Sequence, residues 1–288
     1  MNLIRHQDTS PRILYFGTNN SFSLPPLLAL LRAGHQLAGL VIPDNPSHST
    51  LGENTIKLLP THPNDTIVDR ARTHEVPIWS LSHLPVTLEF ELLVVACFPH
   101  VLPQMLLNRA SIAALNIHPS RLPRYRGPTP VFWQLRDGMR EIGVTLHHMT
   151  TQIDAGDIVA QTSIPLPMGI SGTSANTLLA TEGANMLVNT INSGDFSGGS
   201  QDGPESYQSW PQTQDWLVPT SWSVSRAFNF IRGVAEWGHL FRLLAHPKTV
   251  TARSAIDFTH DRSIPGTIRI SQSGGHEIGF ADGWIRIC

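Results

Sequence analysis

Short apolar runs alternate with amphipathic stretches through the first half of the chain, and this alternation constrains the fold more than any other feature. Arg12–Gly17 and Leu37–Ile42 predict strands, and Phe22–Ala33 between them predicts a helix that ends at Gly34. Leu92–Cys97 shows no polar alternation, which is typical of a strand buried on both faces. The pattern predicts an α/β fold with helices covering a parallel sheet. Further strands are predicted at Val76–Trp79, Ala113–His118, Gly143–Met149 and Ile158–Ile164, and further helices at Asp65–His74, Pro103–Ala110, Thr129–Asp137 and Ser174–Asn192.

The last third of the chain has a different pattern. Ser193–Ser206 is rich in glycine and serine and lacks apolar periodicity, so it predicts a flexible linker and a domain boundary. Beyond it, Ser223–Val234 predicts a helix. Short strands separated by Ser-Gly-Gly and Asp-Gly turn signals are predicted at Val250–Phe258, Gly266–Ile270, Glu277–Phe280 and Trp284–Ile287. We expect an α/β domain at residues 1–200 and a small β-rich, barrel-like domain at residues 207–288.

Charge and cysteine content exclude several classes of protein. The 288 residues include 20 Lys plus Arg and 22 Asp plus Glu, so the formal net charge of −2 excludes a globally polybasic surface. Cys97 and Cys288 are too few for a disulfide framework or a zinc cluster. The first residues lack a signal-peptide core, and no uncharged apolar run reaches the ~18 residues that span a bilayer. These features predict a cytoplasmic protein without a membrane partner.

Several common cofactor and catalytic motifs are missing. The first strand-to-helix turn has one glycine, Gly17, where a dinucleotide fingerprint needs three, and the chain has no Walker A lysine. It also has no HExxH, no Gly-x-Ser-x-Gly and no second cysteine near Cys97. NAD and ATP are therefore disfavoured as ligands.

Asn116 and His118 form the first candidate site. They stand two residues apart at the carboxyl end of a predicted strand, so their side chains face the same side while Ile117 faces the other. Ligands of open parallel sheets bind beyond the carboxyl ends of the strands, and a polar pair is costly in a core. The pair predicts a site; the alternative is a satisfied asparagine and histidine that close a loop.

Asp154 is the second candidate and lies in a turn with Gly156 after the strand Gly143–Met149. An aspartate in a turn usually does no more than stabilise the turn. If this strand neighbours that of His118, the carboxylate can stabilise an imidazolium and form a proton-transfer pair near neutral pH.

The loop Ser120–Pro130 contains three prolines and three arginines before a helix that carries Trp133. Proline leaves the loop few free torsions and stiffens it. It is either a rigid connector with a solvated basic edge or a wall that orients substrate, with Arg126 as an anion contact.

Together, these segments resemble a known enzyme family. The motifs are Asn116–Pro130 (NIHPSRLPRYRGPTP), Trp133, Gly143–His147 (GVTLH), Asp154–Ile158 (DAGDI) and Gln161, with further likeness at Ala96–Pro103, Ser225–Asn229 and Pro265–Ile268. They are similar to the formyltransferases that use 10-formyltetrahydrofolate, especially the methionyl-tRNA formyltransferases. The resemblance implies a Rossmann-like sheet in the catalytic domain and an OB-like C-terminal barrel.

The same resemblance implies roles for individual residues. Asn116, His118 and Asp154 correspond to the family's catalytic triad, and no metal is required. The pterin of the folate donor would lie against a set made of Phe98, His100, Leu102 and the backbone of Gln152 and Ile153. Ser120, Arg126 and Gly127 would contact the acceptor substrate. Phe98-Pro99 stands where the family has a glycine, so the detailed folate contacts differ from the family pattern.

Two departures concern the acceptor amine. The family's tRNA enzymes carry a basic insertion after the second strand, whereas Pro43–Asn54 contains no Lys or Arg; nor does Tyr207–Trp222, where those enzymes have a Lys-rich segment. Because RNA affinity rests on phosphate neutralisation, these losses weaken tRNA as a substrate. The resemblance implies methionyl-tRNA as the commonest acceptor of the family. A nucleotide-linked amino sugar is the runner-up, because related sugar formyltransferases share the core and lack the basic tRNA loop. Hydrolysis to formate and a folate-binding regulator without turnover are further alternatives, whereas a glycinamide ribonucleotide transformylase is disfavoured by the Arg-Gly loop and the second domain.

Overall fold

The computed structural model describes residues 10–44, 65–246, 248–271 and 274–288. Its largest sheet has seven strands: β1 (Ile13–Gly17), β2 (Leu37–Ile42), β3 (Ile78–Ser80), β4 (Leu92–Ala96), β5 (Ala113–His118), β6 (Glu141–His148) and β7 (Ile158–Pro165). Their order is β3-β2-β1-β4-β5-β6-β7. The predicted α/β class with a Rossmann-like sheet is confirmed, and the observed sheet is mostly parallel.

The last two strands differ from the all-parallel expectation. β1 to β5 run parallel, but β6 is antiparallel to β5 and β7 is antiparallel to β6. Only nine residues connect β6 to β7, which is too short for the crossover that parallel neighbours require.

Both faces of this sheet are covered. Every residue of β4 is buried, as its apolar sequence predicts. Alternate residues of β4 enter two separate core clusters, with Val94 in one and Val95 in the other, because successive strand side chains point to opposite faces. The sheet is therefore a middle layer with a packed core on each face.

The helices of the described chain are α1 (Leu24–Arg32), α2 (Ile67–Thr73), α3 (Gln104–Leu107), α4 (Pro130–Arg136), α5 (Gly172–Ser193) and α6 (Val224–Val234). α5 packs directly on the strands that carry the candidate site. A Cβ atom added to Gly183 would lie 2.4 Å from Ile117 Cγ2, so only glycine permits this approach of helix and sheet. The contact places β5 firmly beneath α5.

The C-terminal part contains two further sheets. Their strands are β8 (Leu217–Val218), β9 (Phe241–Leu243), β10 (Val250–Ala252), β11 (Ala255–Thr259), β12 (Ile268–Ile270), β13 (His276–Phe280) and β14 (Gly283–Ile287). They form a three-stranded sheet, β10-β9-β8, and a four-stranded sheet, β11-β14-β13-β12. The predicted β-rich character is confirmed. The predicted strand Val250–Phe258 is divided at Arg253 and Ser254, whose backbones hydrogen-bond to Cys288.

The segment of residues 194–206, here called the strap, crosses from the end of α5 to the loop after β5. The Ile158 and Gly199 backbones exchange hydrogen bonds of 2.7 and 2.9 Å, and the Arg126 N–H donates to the Ser206 carbonyl at 2.9 Å. The prediction of a flexible linker is therefore wrong for this segment. Its Gly and Ser content gives no apolar periodicity, but its backbone groups still find partners in the α/β layer.

We propose the division into domains at residues 1–200 and 207–288. Within the described ranges, no helix is long and apolar enough to cross a membrane. Most of the loop Pro43–Asn54 and the start of the chain fall outside the described residues.

Candidate active site

Asn116 and His118 occupy alternate positions near the end of β5, and their side chains share one face of the sheet. Ile117 points to the opposite face and joins the core. His118 is buried, with 4% of its surface exposed. The strand geometry therefore presents an amide and an imidazole side by side at the carboxyl end of β5.

Asp154 contacts both of these side chains from the loop between β6 and β7. Its Oδ2 lies 3.5 Å from His118 Nδ1 and accepts a 2.8 Å hydrogen bond from the Gly127 N–H. Its Oδ1 accepts from Asn116 Nδ2 at 3.5 Å. The three predicted catalytic side chains thus meet around one carboxylate that is 11% exposed.

The two ring nitrogens of His118 both face oxygen acceptors. Nε2 donates to the Tyr125 carbonyl at 2.9 Å, and Nδ1 faces Asp154 Oδ2. A carbonyl can only accept, so the hydrogen of a neutral ring lies on Nε2 and Nδ1 then has no donor for the carboxylate. Only the doubly protonated ring supplies a donor to both oxygens.

His147 belongs to the same cluster, although the sequence did not single it out as a site residue. It lies opposite Asn116 across the β5–β6 pairing, and its Nε2 is 3.1 Å from Asn116 Nδ2. Its Nδ1 donates to the His148 carbonyl at 2.8 Å, so Nε2 of the neutral ring accepts from the amide. Burial lowers the pKa of His147 from 6.5 to about 4 and keeps this acceptor available. The signal that identifies His147 is the antiparallel register of β5 and β6, which places it opposite Asn116.

Acidification is expected to destabilise the fold through His147. Its folded-state pKa of about 4 lies below the unfolded value of 6.5, so the unfolded chain binds an additional proton between these values. This contribution to the free energy of unfolding is complete above pH 6.5 and falls by about 3 kcal/mol as the pH drops to 4. Chemical denaturation at pH 7 and at low pH measures it.

His147→Gln keeps an acceptor near Asn116 without titrating, so its pH dependence should be flatter by that amount. His74→Gln, which changes an exposed histidine, serves as the matched control. Equal pH dependence in wild type and His147→Gln would contradict the prediction.

The three residues expected to bind the acceptor have their polar groups engaged within the protein. The Ser120 hydroxyl donates to the Arg124 carbonyl at 2.7 Å, and the Gly127 N–H donates to Asp154. The Arg126 guanidinium binds two side chains of the strap: it pairs with Glu205 at 2.7 Å and donates to Gln201 Oε1 at 2.7 Å. These residues build the wall beside Asp154 in this structure.

The residues expected to hold the folate donor differ in exposure. Phe98 and His100 are half-buried, and their rings meet edge to face at 5.7 Å. Leu102 is a core residue with 1% exposure, so its side chain does not reach the surface. Gln152 and Ile153 are exposed in the turn that leads to Asp154. The rings of Phe98 and His100 offer a partly open aromatic surface, which suits a flat heterocycle.

Among the described residues, no group of three or more histidine, cysteine, aspartate or glutamate side chains is arranged to hold a metal ion. The polar cluster instead consists of hydrogen-bond donors beside a carboxylate, which are the groups that acyl transfer employs. An α/β fold with such a cluster at the strand ends suits an enzyme that transfers acyl groups.

The particular family follows from the comparison with known proteins. The profile described as Formyl transferase matches residues 12–191, and the chain belongs to this family. The family membership confirms the resemblance and the predicted class of enzyme, a 10-formyltetrahydrofolate-dependent formyltransferase.

Individual relatives are similar over most of the chain. The methionyl-tRNA formyltransferase of Staphylococcus epidermidis is 29% identical over 94% of this chain and 87% of its own length. An N-formyltransferase from Helicobacter canadensis, in complex with folinic acid and dTDP-3-aminofucose, has a TM-score of 0.64 at 15% identity, covering 96% of this chain and 98% of that one. HypX from Aquifex aeolicus, in complex with tetrahydrofolic acid, has a TM-score of 0.60 at 18% identity; 96% of this chain is covered but only 43% of HypX. The two structures show the shared fold.

Proposed function

We propose that this formyltransferase moves the formyl group of 10-formyltetrahydrofolate to a primary amine at the cluster of Asn116, His118 and Asp154. The observation that carries the proposal is the position of the Asp154 carboxylate, which faces the Asn116 amide and the His118 imidazole at 3.5 Å each. Amide and imidazolium donors next to a carboxylate supply both oxyanion stabilisation and proton transfer.

Each side chain has a separate task in this proposal. The amine attacks the formyl carbon of the folate donor, the bond from that carbon to N10 then breaks, and N10 takes up a proton as tetrahydrofolate leaves. The Asn116 N–H and protonated His118 donate to the oxygen that gains charge, while Asp154 holds His118 and helps to remove the ammonium proton. Both contacts to Asp154 are longer than the ~2.8 Å of a charge-assisted hydrogen bond, so a substrate oxygen can compete for these donors.

The donor is proposed to bind beside this cluster, over Phe98 and His100 and against the turn of Gln152 and Ile153. The support is the half-buried aromatic pair at the end of β4 and the exposed turn before Asp154. Leu102 would support these rings from the core rather than contact the pterin with its side chain.

For the acceptor we propose a nucleotide-linked amino sugar. The loop Ser120–Pro130 carries Arg121 and Arg124 with exposed side chains, which suit the binding of a compact anion such as a diphosphate. A long tRNA footprint needs several phosphate contacts, each made by a free Lys or Arg. The sequence lacks basic residues in both segments where tRNA enzymes of the family carry them.

Packing also removes two arginines of the C-terminal part from any basic face. The Arg226 guanidinium lies 3.8 Å from the centre of the Trp222 ring and donates to the Arg136 carbonyl at 2.6 and 2.9 Å. Arg232 donates to the Gly169 carbonyl. These contacts join the two parts of the chain and leave fewer cations for phosphate, which supports a small acceptor.

Methionyl-tRNA is the second candidate acceptor, and the similarity to methionyl-tRNA formyltransferases over 87% of their length favours it. Hydrolysis of the donor to formate is the alternative reaction. All three outcomes are separable because their products differ.

Incubation with 10-formyltetrahydrofolate and either nucleotide amino sugars or initiator methionyl-tRNA tests the acceptor. We expect a formyl adduct on an amino sugar by mass spectrometry, and only weak binding of tRNA across a salt series. Tight binding that weakens steeply with salt, together with formylation of the methionine, would overturn the proposed acceptor and support tRNA. Formate release without an acceptor would support hydrolysis.

A further inference from the structure

Gln201 connects the turn that carries Asp154 with the loop Ser120–Pro130, which hydrogen-bonds to both His118 and Asp154. Its Nε2 donates to the Asp154 carbonyl at 2.8 Å and to the Gly156 carbonyl at 2.7 Å. Its Oε1 accepts from Arg126 Nε at 3.2 Å and Nη2 at 2.7 Å. Both hydrogens and both lone pairs of the amide are therefore used.

The chemistry of the partners determines which way this amide points. Carbonyl oxygens only accept and a guanidinium only donates, so the reverse orientation would place acceptors against acceptors and donors against donors. One amide group thus satisfies two backbone carbonyls on one side and a guanidinium on the other. Gln201 acts as a clamp with one defined orientation.

The clamp acts at the points where the loops support the catalytic groups. Arg126 stands between Tyr125, whose carbonyl accepts from His118 Nε2, and Gly127, whose N–H donates to the Asp154 carboxylate. The other end of the clamp binds the backbone carbonyl of Asp154 itself. The distance between the imidazole and the carboxylate thus depends on the separation that the clamp sets.

The neighbouring ion pair does not perform the same task. Glu205 also binds Arg126, but its side chain is 72% exposed, and exposed ion pairs contribute little because water and salt screen them. Glu205 has no contact with the Asp154 turn among the hydrogen bonds of the described residues. In the described part of the chain, Gln201 is the side chain whose hydrogen bonds bridge Arg126 and that turn.

We propose that Gln201 is a positioning residue for formyl transfer, which holds the Asp154 carboxylate against His118 without contacting the substrates. This inference rests on the proposed function of the Asn116, His118 and Asp154 cluster. Small displacements of reacting groups cost up to about 100-fold in rate, so loss of the clamp acts mainly on kcat.

Gln201→Glu separates the two halves of the clamp. The variant keeps an oxygen for Arg126 but turns a second oxygen toward the carbonyls of Asp154 and Gly156, which have no donor left. We expect kcat to fall by about 10- to 100-fold with the KM for the folate donor changed by less than about 3-fold. Gln201→Asn, which is too short to reach both loops, is the second variant and should lose kcat similarly. Gln214→Glu, the same change at an exposed glutamine, is the control.

A double-mutant cycle with Asp154→Asn distinguishes positioning from general structural support. If Gln201 acts through Asp154, Gln201→Glu costs less than about 3-fold in the Asp154→Asn background, because the group that it positions is already removed. Equal losses in both backgrounds, wild-type kcat in both Gln201 variants, or a loss confined to KM would overturn the proposal.

The nitrogen chemical shifts of the His118 ring give a readout that needs no turnover. At fixed pH, Gln201→Glu should move them in the same direction as Asp154→Asn, while Gln214→Glu leaves them unchanged. Unchanged His118 shifts in a folded Gln201→Glu protein would overturn the positioning role. If the wild-type enzyme gave no product with any of the acceptors, that result would count against the proposed function. The His118 chemical shifts would still test the role of Gln201.

Discussion

Replacing His118 by asparagine, or Asp154 by asparagine, is expected to lower formyl transfer by about 100-fold or more while leaving the fold intact. In the proposed mechanism His118 donates to the developing oxyanion, and Asp154 holds His118 and helps to remove the ammonium proton; each such contribution is typically of this size. Initial rates at saturating 10-formyltetrahydrofolate, with the acceptor that gives a formyl adduct in the mass-spectrometric assay, measure the effect.

Asp157→Asn is the matched control for this prediction. Asp157 is an exposed carboxylate in the same loop as Asp154, so the chemical change is identical but falls outside the cluster. We expect near wild-type turnover from it. Thermal unfolding of all three variants verifies the fold, and wild-type rates in either His118→Asn or Asp154→Asn would show that the chemistry lies elsewhere.

Replacing Gly127 by alanine is expected to lower both stability and turnover. The residue has a φ of +110°, which favours glycine, and an added Cβ would lie 2.2 Å from the Gln208 carbonyl oxygen. The strained backbone and the clash together cost about 2 to 4 kcal/mol of unfolding free energy. Because the Gly127 N–H holds the Asp154 carboxylate, a displaced loop also lowers formyl transfer.

Gly199→Ala tests whether the loss of stability and turnover is specific to Gly127. Gly199 lies in the strap, and an added Cβ there has no neighbour within 4 Å. We expect its unfolding midpoint in urea to stay close to wild type. A Gly127→Ala protein with wild-type stability and turnover would contradict the prediction.

Much of the fold was predictable because its signals are local. β2 and β5 have the bounds that the sequence predicts, and α6 begins one residue after its predicted start. The two short strands β8 and β9 were not predicted, since two or three residues carry no usable periodicity. The antiparallel direction of β6 was also missed, because strand direction depends on how distant elements pack.

The candidate site was predictable only in part. Asn116 and His118 could be placed on one face from the two-residue strand period, and the motif resemblance added Asp154. His147 was missed because its contact with Asn116 depends on the register between β5 and β6. The strap was assigned as a flexible linker because glycine and serine give no periodic signal.

The sequence by itself determined the α/β class, the sites of the main strands and the family, because hydrophobic period and motif spacing are properties of neighbouring residues. Only the tertiary structure decided which polar groups surround Asp154. Gln201 reaches it from 47 residues away and also binds Arg126, 75 residues away in the chain. His118 contacts the carbonyl of Tyr125, a left-handed residue at φ +60°. Such partners are chosen by the need to satisfy buried donors and acceptors in the packed chain, a requirement that exists only once distant segments have come together.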